Sequence, residues 1–364
     1  MKVIFVRSPY KIVVNETDQL LTKVELYIYA GNQSEPAIPT ITLEKQIPDT
    51  VNRSCSFDIA PYIKDYIEAI STGAILAESD SFDLWRKVRV VSSYKDDLED
   101  EWIEADDEEL VAVNGFTTFM GGWNQAITTD LLYLTNETVR IKRKDNNQYF
   151  NVLVDFDNTS GFDVIARYRE LDNTTVEDVV ILEEGVDDSN IYLLKIPYRT
   201  ADPDLAAGNS VQVRYDTGEG VQQKPLVYFI NEEECKYTPV VCSFINRFGG
   251  WQFMTFFKAR IDNYDIQSKD YKLLPDGDNY NELRGQKKSF NFEMSQKVKL
   301  NTGWVEENYI ELLTDLLASE TILLDNVPVV IANKSIQKKT AIIDKLINYE
   351  MDFEYSFNLI NDVN

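Results

Sequence analysis

The dominant local signal along the chain is an alternation of apolar and polar positions with a period of two. Val24, Leu26 and Ile28 alternate with Glu25, Tyr27 and Tyr29, and Val211, Val213 and Tyr215 alternate with Gln212 and Arg214. The longest run lies near the C-terminus. There Ile347, Tyr349, Met351, Phe353, Tyr355 and Phe357 fall on one face, and Asn348, Glu350, Asp352, Glu354 and Ser356 on the other. Successive side chains of an extended strand point to opposite faces, so this spacing predicts strands with one buried and one wet side. Turn-forming residues separate the runs at 145–148, 216–220, Gly249-Gly250 and Asp325-Asn326, and these read as hairpin connections. The predicted class is mainly β, with few helices.

Two stretches carry the helical period instead. Ile59, Ile63, Ile67 and Ile70 recur at helical spacing over about 58–70, with Asp58 placed to cap the start and Pro61 tolerable in the first turn. Val305, Tyr309, Leu312, Leu313, Leu316 and Leu317 form a broad apolar face over about 305–319. Asn301-Thr302-Gly303 reads as the break and cap before this second helix, and Glu306 and Glu307 suit its positive end. Residues 96–109 hold ten acids in fourteen positions and read as an exposed loop. The expected organisation is a β-rich domain over 1–125 with one helix, a β-sandwich-like domain over 126–236, and a third β domain over 237–364 with the second helix.

Charge and composition then narrow the chemistry. The chain has 364 residues, with 36 Lys plus Arg against 61 Asp plus Glu, for a formal net charge of −25. Counterion-release affinity for nucleic acid needs clustered cations that are scarce here, and the same balance disfavours anionic lipid. Histidine is absent altogether, which removes Ser-His-Asp and Cys-His catalysis, His-ligated zinc and the imidazole switch. Cys55, Cys235 and Cys242 fit no zinc spacing and read as free thiols of a reducing compartment. The opening residues carry too short an apolar run for a signal peptide, and no window approaches a membrane span, so the expected site of synthesis is a cytoplasm.

Few constellations point to a reaction. The acids of 96–109 could ligate Ca²⁺, but they lack the Gly-punctuated spacing of a calcium loop and read as a charged surface. Asp276-Gly-Asp278 opens like such a loop and then departs from it at Asn281 and Lys287, so it reads as a turn. The pairs Asp155/Asp157 and Asp202/Asp204 would be needed by a carboxylate-based glycoside hydrolase, yet both lie in turn-like segments. No phosphate-binding, dinucleotide-binding or nucleophile-elbow motif occurs. No cofactor, metal ligand set or catalytic residue is assigned.

Aromatic residues are the stronger signal. Phe244, Phe248, Trp251, Phe253, Phe256 and Phe257 crowd one hairpin and occupy both of its faces. Such a hairpin needs cover on two sides, one from its own domain and one from a neighbouring subunit. Phe248, Trp251, Phe253, Phe256, Phe257 and Trp304 are therefore the candidate subunit-interface residues. A sugar-stacking platform is the competing reading, for which an exposed Trp102 or Trp123 would serve.

The C-terminal third carries a resemblance. The segment Tyr237-Thr-Pro-Val-Val-Cys-Ser-Phe-Ile-Asn-Arg-Phe-Gly-Gly-Trp-Gln-Phe-Met-Thr-Phe-Phe-Lys258 resembles one seen in virion proteins of phages that infect Bacteroidetes, the crAss-like phages among them. Leu300-Asn-Thr-Gly-Trp-Val-Glu-Glu-Asn-Tyr309, Leu316-Leu-Ala-Ser-Glu320 and Lys345-Leu-Ile-Asn-Tyr-Glu-Met-Asp-Phe-Glu-Tyr-Ser-Phe357 are similar to further segments of those proteins. The resemblance covers about 237–364 and implies a tail-tube-like β module carrying one helix, as in tail components that build rings, hubs or distal-tail assemblies. It implies a non-enzymatic structural protein of a virion tail, made in the bacterial host, that forms a homomeric ring stacked on other tail proteins. Direct nucleic-acid binding is not expected, although DNA passing through a lumen would meet an acidic wall that repels it. A glycan- or receptor-binding module at the tail tip and a carboxylate-based hydrolase are the alternatives.

Overall fold

A computed structural model describes residues 1–17, 19–31, 33–47, 54–67, 84–96, 101–121, 124–143, 148–155, 163–182, 191–216, 221–274, 283, 285–338 and 346–359. The chain is mainly β, as the period of two predicts. Each large sheet draws on one stretch of sequence.

The first stretch supplies β1 (Lys2–Phe5), β2 (Lys11–Val14), β3 (Leu21–Ala30), β4 (Ile41–Gln46), β5 (Cys55–Asp58), helix α1 (Ala60–Lys64), β6 (Trp85–Lys95), β7 (Ile103–Val113) and β8 (Ile127–Thr128). Six of these strands form one sheet in the order β4-β3-β6-β7-β1-β8, and β2 pairs with β5 in a separate ribbon. Val24, Leu26, Ile28, Val88 and Val90 meet Phe57, Ile59 and Ile63 beneath the ribbon and α1. The helix is shorter than the 58–70 read from spacing. Asp58 ends a strand, where its carboxylate accepts from the backbone N–H of Tyr10 at 3.1 Å and of Ala60 at 3.3 Å, and Ile59 is the cap position. Residues 68–70 lie outside the described residues.

The acidic run departs further from expectation. Residues 103–109, read as loop, form the first half of β7. Pairing with β6 from Tyr94↔Ile103 to Trp85↔Val113 satisfies the backbone, Asp107 pairs with Arg89 and Glu108 with Lys2, and Glu104, Asp106 and Glu109 face solvent. Residues 97–100 lie outside the described residues.

The second stretch holds β9 (Leu131–Tyr133), β10 (Ile141–Arg143), β11 (Tyr149–Asp155), β12 (Val164–Glu170), β13 (Thr175–Leu182), β14 (Ile191–Pro197), β15 (Gly208–Asp216), β16 (Val221–Gln223) and β17 (Val227–Asn231). One sheet runs β10-β17-β15-β12-β13 with β16 added to β15, and a second runs β14-β11-β9. Their inner faces share one core, in which Phe150 stacks on Phe229 at 6.2 Å and the Tyr168 hydroxyl donates to the Pro197 carbonyl at 2.9 Å. This is a sandwich in which β12, β14 and β17 largely alternate buried and half-buried positions while β11 is buried on both faces from Tyr149 to Val154.

The third stretch contributes β18 (Val240–Ile245), β19 (Trp251–Phe256), β20 (Ile261–Lys272), β21 (Lys287–Glu306), helix α2 (Ile310–Leu317), β22 (Ile322–Leu324), β23 (Val327–Ile331) and β24 (Leu346–Tyr355). The seven strands form a single sheet in the order β19-β18-β22-β23-β24-β21-β20. Ile347, Tyr349, Met351 and Phe353 of β24 are buried together with Leu312, Leu313 and Leu316 of α2, so the long alternation near the C-terminus packs its apolar face on the helix. Asp325 and Asn326 turn the β22–β23 hairpin with φ of 46° and 68°, both in the left-handed region that such a two-residue turn requires. Helix α2 starts later than 305, after a 3-10 turn over Glu307–Tyr309, because Val305 and Glu306 still pair with β24. Asn301-Thr302-Gly303, read as a cap, is a bulge in β21. Gly303 takes φ 73°, its N–H reaches the Asn301 side-chain oxygen at 2.8 Å, and the Thr302 hydroxyl accepts from the Tyr349 N–H at 3.0 Å.

Candidate subunit interface

The aromatic hairpin β18–β19 forms as expected, with Gly249-Gly250 in its turn. Its cover comes from the same chain. Trp251 and Phe253 are buried in the core shared with the sandwich, where Phe253 meets Tyr149 at 5.0 Å and Tyr198 at 6.2 Å, edge to face. Phe256 is buried on the opposite face against Phe353 at 5.7 Å, and Phe257 is equally enclosed. The Trp251 N–H donates to the Asn151 side-chain oxygen at 2.9 Å, and a Cβ on Gly250 would lie 2.4 Å from the Leu134 carbonyl. The second cover that both-faced aromaticity demands is thus the middle sandwich, brought by a long-range contact that spacing alone does not reveal. Trp251, Phe253, Phe256 and Phe257 have no apolar area left to offer a sister copy. Phe248 is half-buried with the Arg247 guanidinium over its ring at 4.7 Å. Trp304 stays 57% exposed beside the bulge at Gly303 and lines a shallow recess with Tyr237, Ile261, Leu300 and Glu350.

Exposed apolar side chains gather elsewhere, on the arm formed by β20 and β21. Every residue of β20 is exposed. Strand β21 pairs with β24 only from Lys297 onward, and residues 287–296 run on past that pairing for about 33 Å at 3.3 Å per residue. The backbone N–H of Leu359 reaches the Met294 carbonyl at 2.9 Å at the arm's base. Register places Tyr264 opposite Gln296 and Ile266 opposite Met294 on the face that continues the core side of the sheet. Lys269 opposite Phe290 and Tyr271 opposite Lys288 share the other face, where the two rings meet edge to face at 5.5 Å. A bulge at Asn291, whose φ is 56°, lies between the two regions. Tyr264, Ile266, Tyr271, Phe290 and Phe292 are all exposed, as are Leu274 and Leu283. A two-stranded ribbon with apolar side chains on both faces is marginal alone in water, and acquires stability from what it packs against.

Sequence reasoning missed the arm because its polar and apolar residues do not separate by face. The signal was present in the density of β-formers, with Tyr264, Ile266, Tyr271, Phe290 and Phe292 in a stretch free of helical period.

The groups proposed for other chemistry are placed as follows. Asp155 pairs with the amino group of Met1. Asp202 caps a turn, accepting from the Asp204 N–H at 2.9 Å. Asp157, Trp123 and the 276–281 segment lie outside the described residues. Trp102 has the ammonium groups of Lys23 and Lys95 over its ring at 4.7 and 5.0 Å, which occupies the surface a sugar would stack on. Burial pushes the Cys242 thiol up, away from the thiolate. Among the described residues, no group of three or more His, Cys, Asp or Glu is placed to hold a metal ion, and no helix is long and apolar enough to cross a membrane.

One buried carboxylate stands out. Asp315 of α2 is 3% exposed, and burial raises its pKa to about 6 although the Arg247 guanidinium lies 3.9 Å away. Its Oδ2 has no hydrogen-bond partner, so desolvation outweighs the ion pair. Arg7, from the loop after β1, donates to the Ala318 carbonyl at the end of the same helix. Asp315 therefore sits where the first sheet, the aromatic hairpin and α2 converge.

No protein-family model matches the chain, and no curated protein matches it. Among solved structures, one similar chain belongs to the CsuC–CsuE chaperone–tip adhesion subunit pre-assembly complex from archaic chaperone-usher Csu pili of Acinetobacter baumannii. The identity is 10% and the TM-score 0.19, over 64% of this chain and 95% of that one. A likeness so distant carries no argument about function.

Proposed function

We propose that the chain is a non-enzymatic structural subunit of a bacteriophage tail that assembles with copies of itself into a ring stacked on other tail proteins of the virion. The observation that supports this reading is the arm, about 33 Å of two-stranded ribbon with apolar side chains on both faces and, beyond the Leu359 contact at its base, no cover from its own body among the described residues. Such an element is completed by a partner. A protein that carries the same arm on every copy supplies many identical partners. The C-terminal resemblance to phage virion proteins points the same way.

Sedimentation velocity over a rising concentration series tests the reading. It expects a single defined species whose mass is a multiple of the monomer's. A chain that stays monomeric throughout while binding glycans saturably, or turning over a glycoside, overturns it.

A further inference from the structure

The arm differs in charge from the rest of the molecule. Residues 261–299 hold seven Lys or Arg and seven Asp or Glu, leaving 36 − 7 = 29 cations and 61 − 7 = 54 anions elsewhere, so 29 − 54 = −25 and the whole excess lies outside the arm. Within the arm the charges are also segregated. Near the base Lys297 pairs with Asp265 at 2.5 Å and Lys299 with Glu350 at 2.6 Å. Toward the far end Lys269, Lys272, Lys287 and Lys288 have no ion-pair partner among the described residues, and Asp270, next to Lys269, accepts from the Ser289 hydroxyl at 2.6 Å.

The opposite arrangement occurs on β7. Register sets Glu104 across from Ser93, Asp107 from Val91 and Glu109 from Arg89, which puts the three carboxylates on one face. Arg89 holds Asp107 at 2.6 Å, whereas Glu104 and Glu109 have no ion-pair partner among the described residues and are exposed. Beside them lies an open recess lined by Asp106, Asp107, Glu108, Glu109 and Asp155 together with Lys2 and Lys87.

We infer that the lysine-bearing end of the arm docks on the acidic face of β7 in a second copy of the chain. The inference rests on the assembly proposed above and names its contact. Two bodies that each carry a large negative charge repel, so copies associate most readily through an element free of that excess, and the arm, neutral in sum with Lys287 and Lys288 exposed and outside any ion pair among the described residues, is such an element. The second copy is favoured as occupant because the chain presents both halves of the complementary pair. Arm and β7 are different patches, so each copy gives one contact and receives one. This heterologous arrangement propagates and closes into a ring when the rotation between copies allows.

The test is a charge exchange in the full chain, read by mass photometry and sedimentation at low and moderate NaCl. K287E/K288E and E104K/E109K each place like charges across the contact, and all four positions are solvent-facing, so unchanged melting temperatures verify the fold. The expected result is a loss of about tenfold or more in association for each pair variant, with recovery when the four substitutions are combined. The inference is overturned if the pair variants associate as the original chain does, or if the combined variant is no better than either. If the charge variants assemble normally while a Tyr271/Phe290 variant does not, the assembly stands and this contact is wrong. If the original chain does not associate, both fall. Retarded migration of a 40-nucleotide DNA that K287E/K288E abolishes, with E104K/E109K assembling normally, reassigns the lysines to nucleic acid and overturns the contact.

Discussion

Replacing Asp315 with Asn isolates the energetic cost of the buried carboxylate at the junction of the first sheet, the aromatic hairpin and α2. The native group has its pKa raised from 3.8 to about 6, first by desolvation, against the attraction of Arg247 and Arg7 and in line with the repulsion of Glu311. A carboxyl whose pKa is higher in the folded state is protonated there while the unfolded chain is already ionised. Its stabilising contribution is therefore complete below pH 3.8 and lost as pH rises through about 6. The shift of about two units corresponds to about 3 kcal/mol at 1.36 kcal/mol per unit. With an unfolding entropy of about 2.1 cal/mol/K per residue over the whole chain, that amounts to about 4 °C in melting temperature. D315N should match the native chain near pH 4 and melt about 4 °C higher above pH 7, the gap opening between those limits. Differential scanning calorimetry across pH 4–8 measures it. A gap that does not vary with pH, or an Asn variant that is less stable at pH 7.5, would show that the Arg247 pair outweighs desolvation and refute the reasoning.

Three further outcomes separate core from contact surface. F256A removes a ring enclosed on all sides and should cost about 3–5 kcal/mol, seen as a lower denaturant midpoint; an unchanged midpoint would mean that Phe256 is not core. Y271S/F290S removes two exposed rings of the arm, so it should leave the monomer's melting temperature within about 1 °C while weakening association about tenfold or more. The reverse pattern would make the arm a piece of the fold. Under native conditions iodoacetamide should label exposed Cys235 and spare buried Cys242, whose thiol is held protonated; peptide mass mapping reads the result, and rapid labelling of Cys242 would contradict its burial.

The parts of the fold that were legible in the sequence are those where polar and apolar residues separate by face. The strands at Val24–Ile28, Val211–Tyr215 and Ile347–Phe353 appear where their alternation places them, since burying one face is what selects the register. Gly249-Gly250 and Asp325-Asn326 were legible because a left-handed turn leaves few alternatives. Strand β7 was hidden because its first half is charged on both sides. There the ladder with β6 decides the conformation, and no one-sided apolar pattern remains to be read. The arm was hidden for a related reason, with apolar groups on both faces and no core behind it. The candidate interface was misplaced in part because a two-faced aromatic hairpin announces that it needs double cover without saying whether the cover is another domain or another chain. Trp304 is the member of that set left facing solvent.

On the proposed function, copies of this chain hold one another through the arm. Electron microscopy of the concentrated chain, beside a variant in which residues 269–288 are replaced by a short Gly-Ser turn, tests it most directly. Closed rings are expected for the full chain, and dispersed, folded monomers for the shortened one. Rings that form equally well without the end of the arm would contradict it.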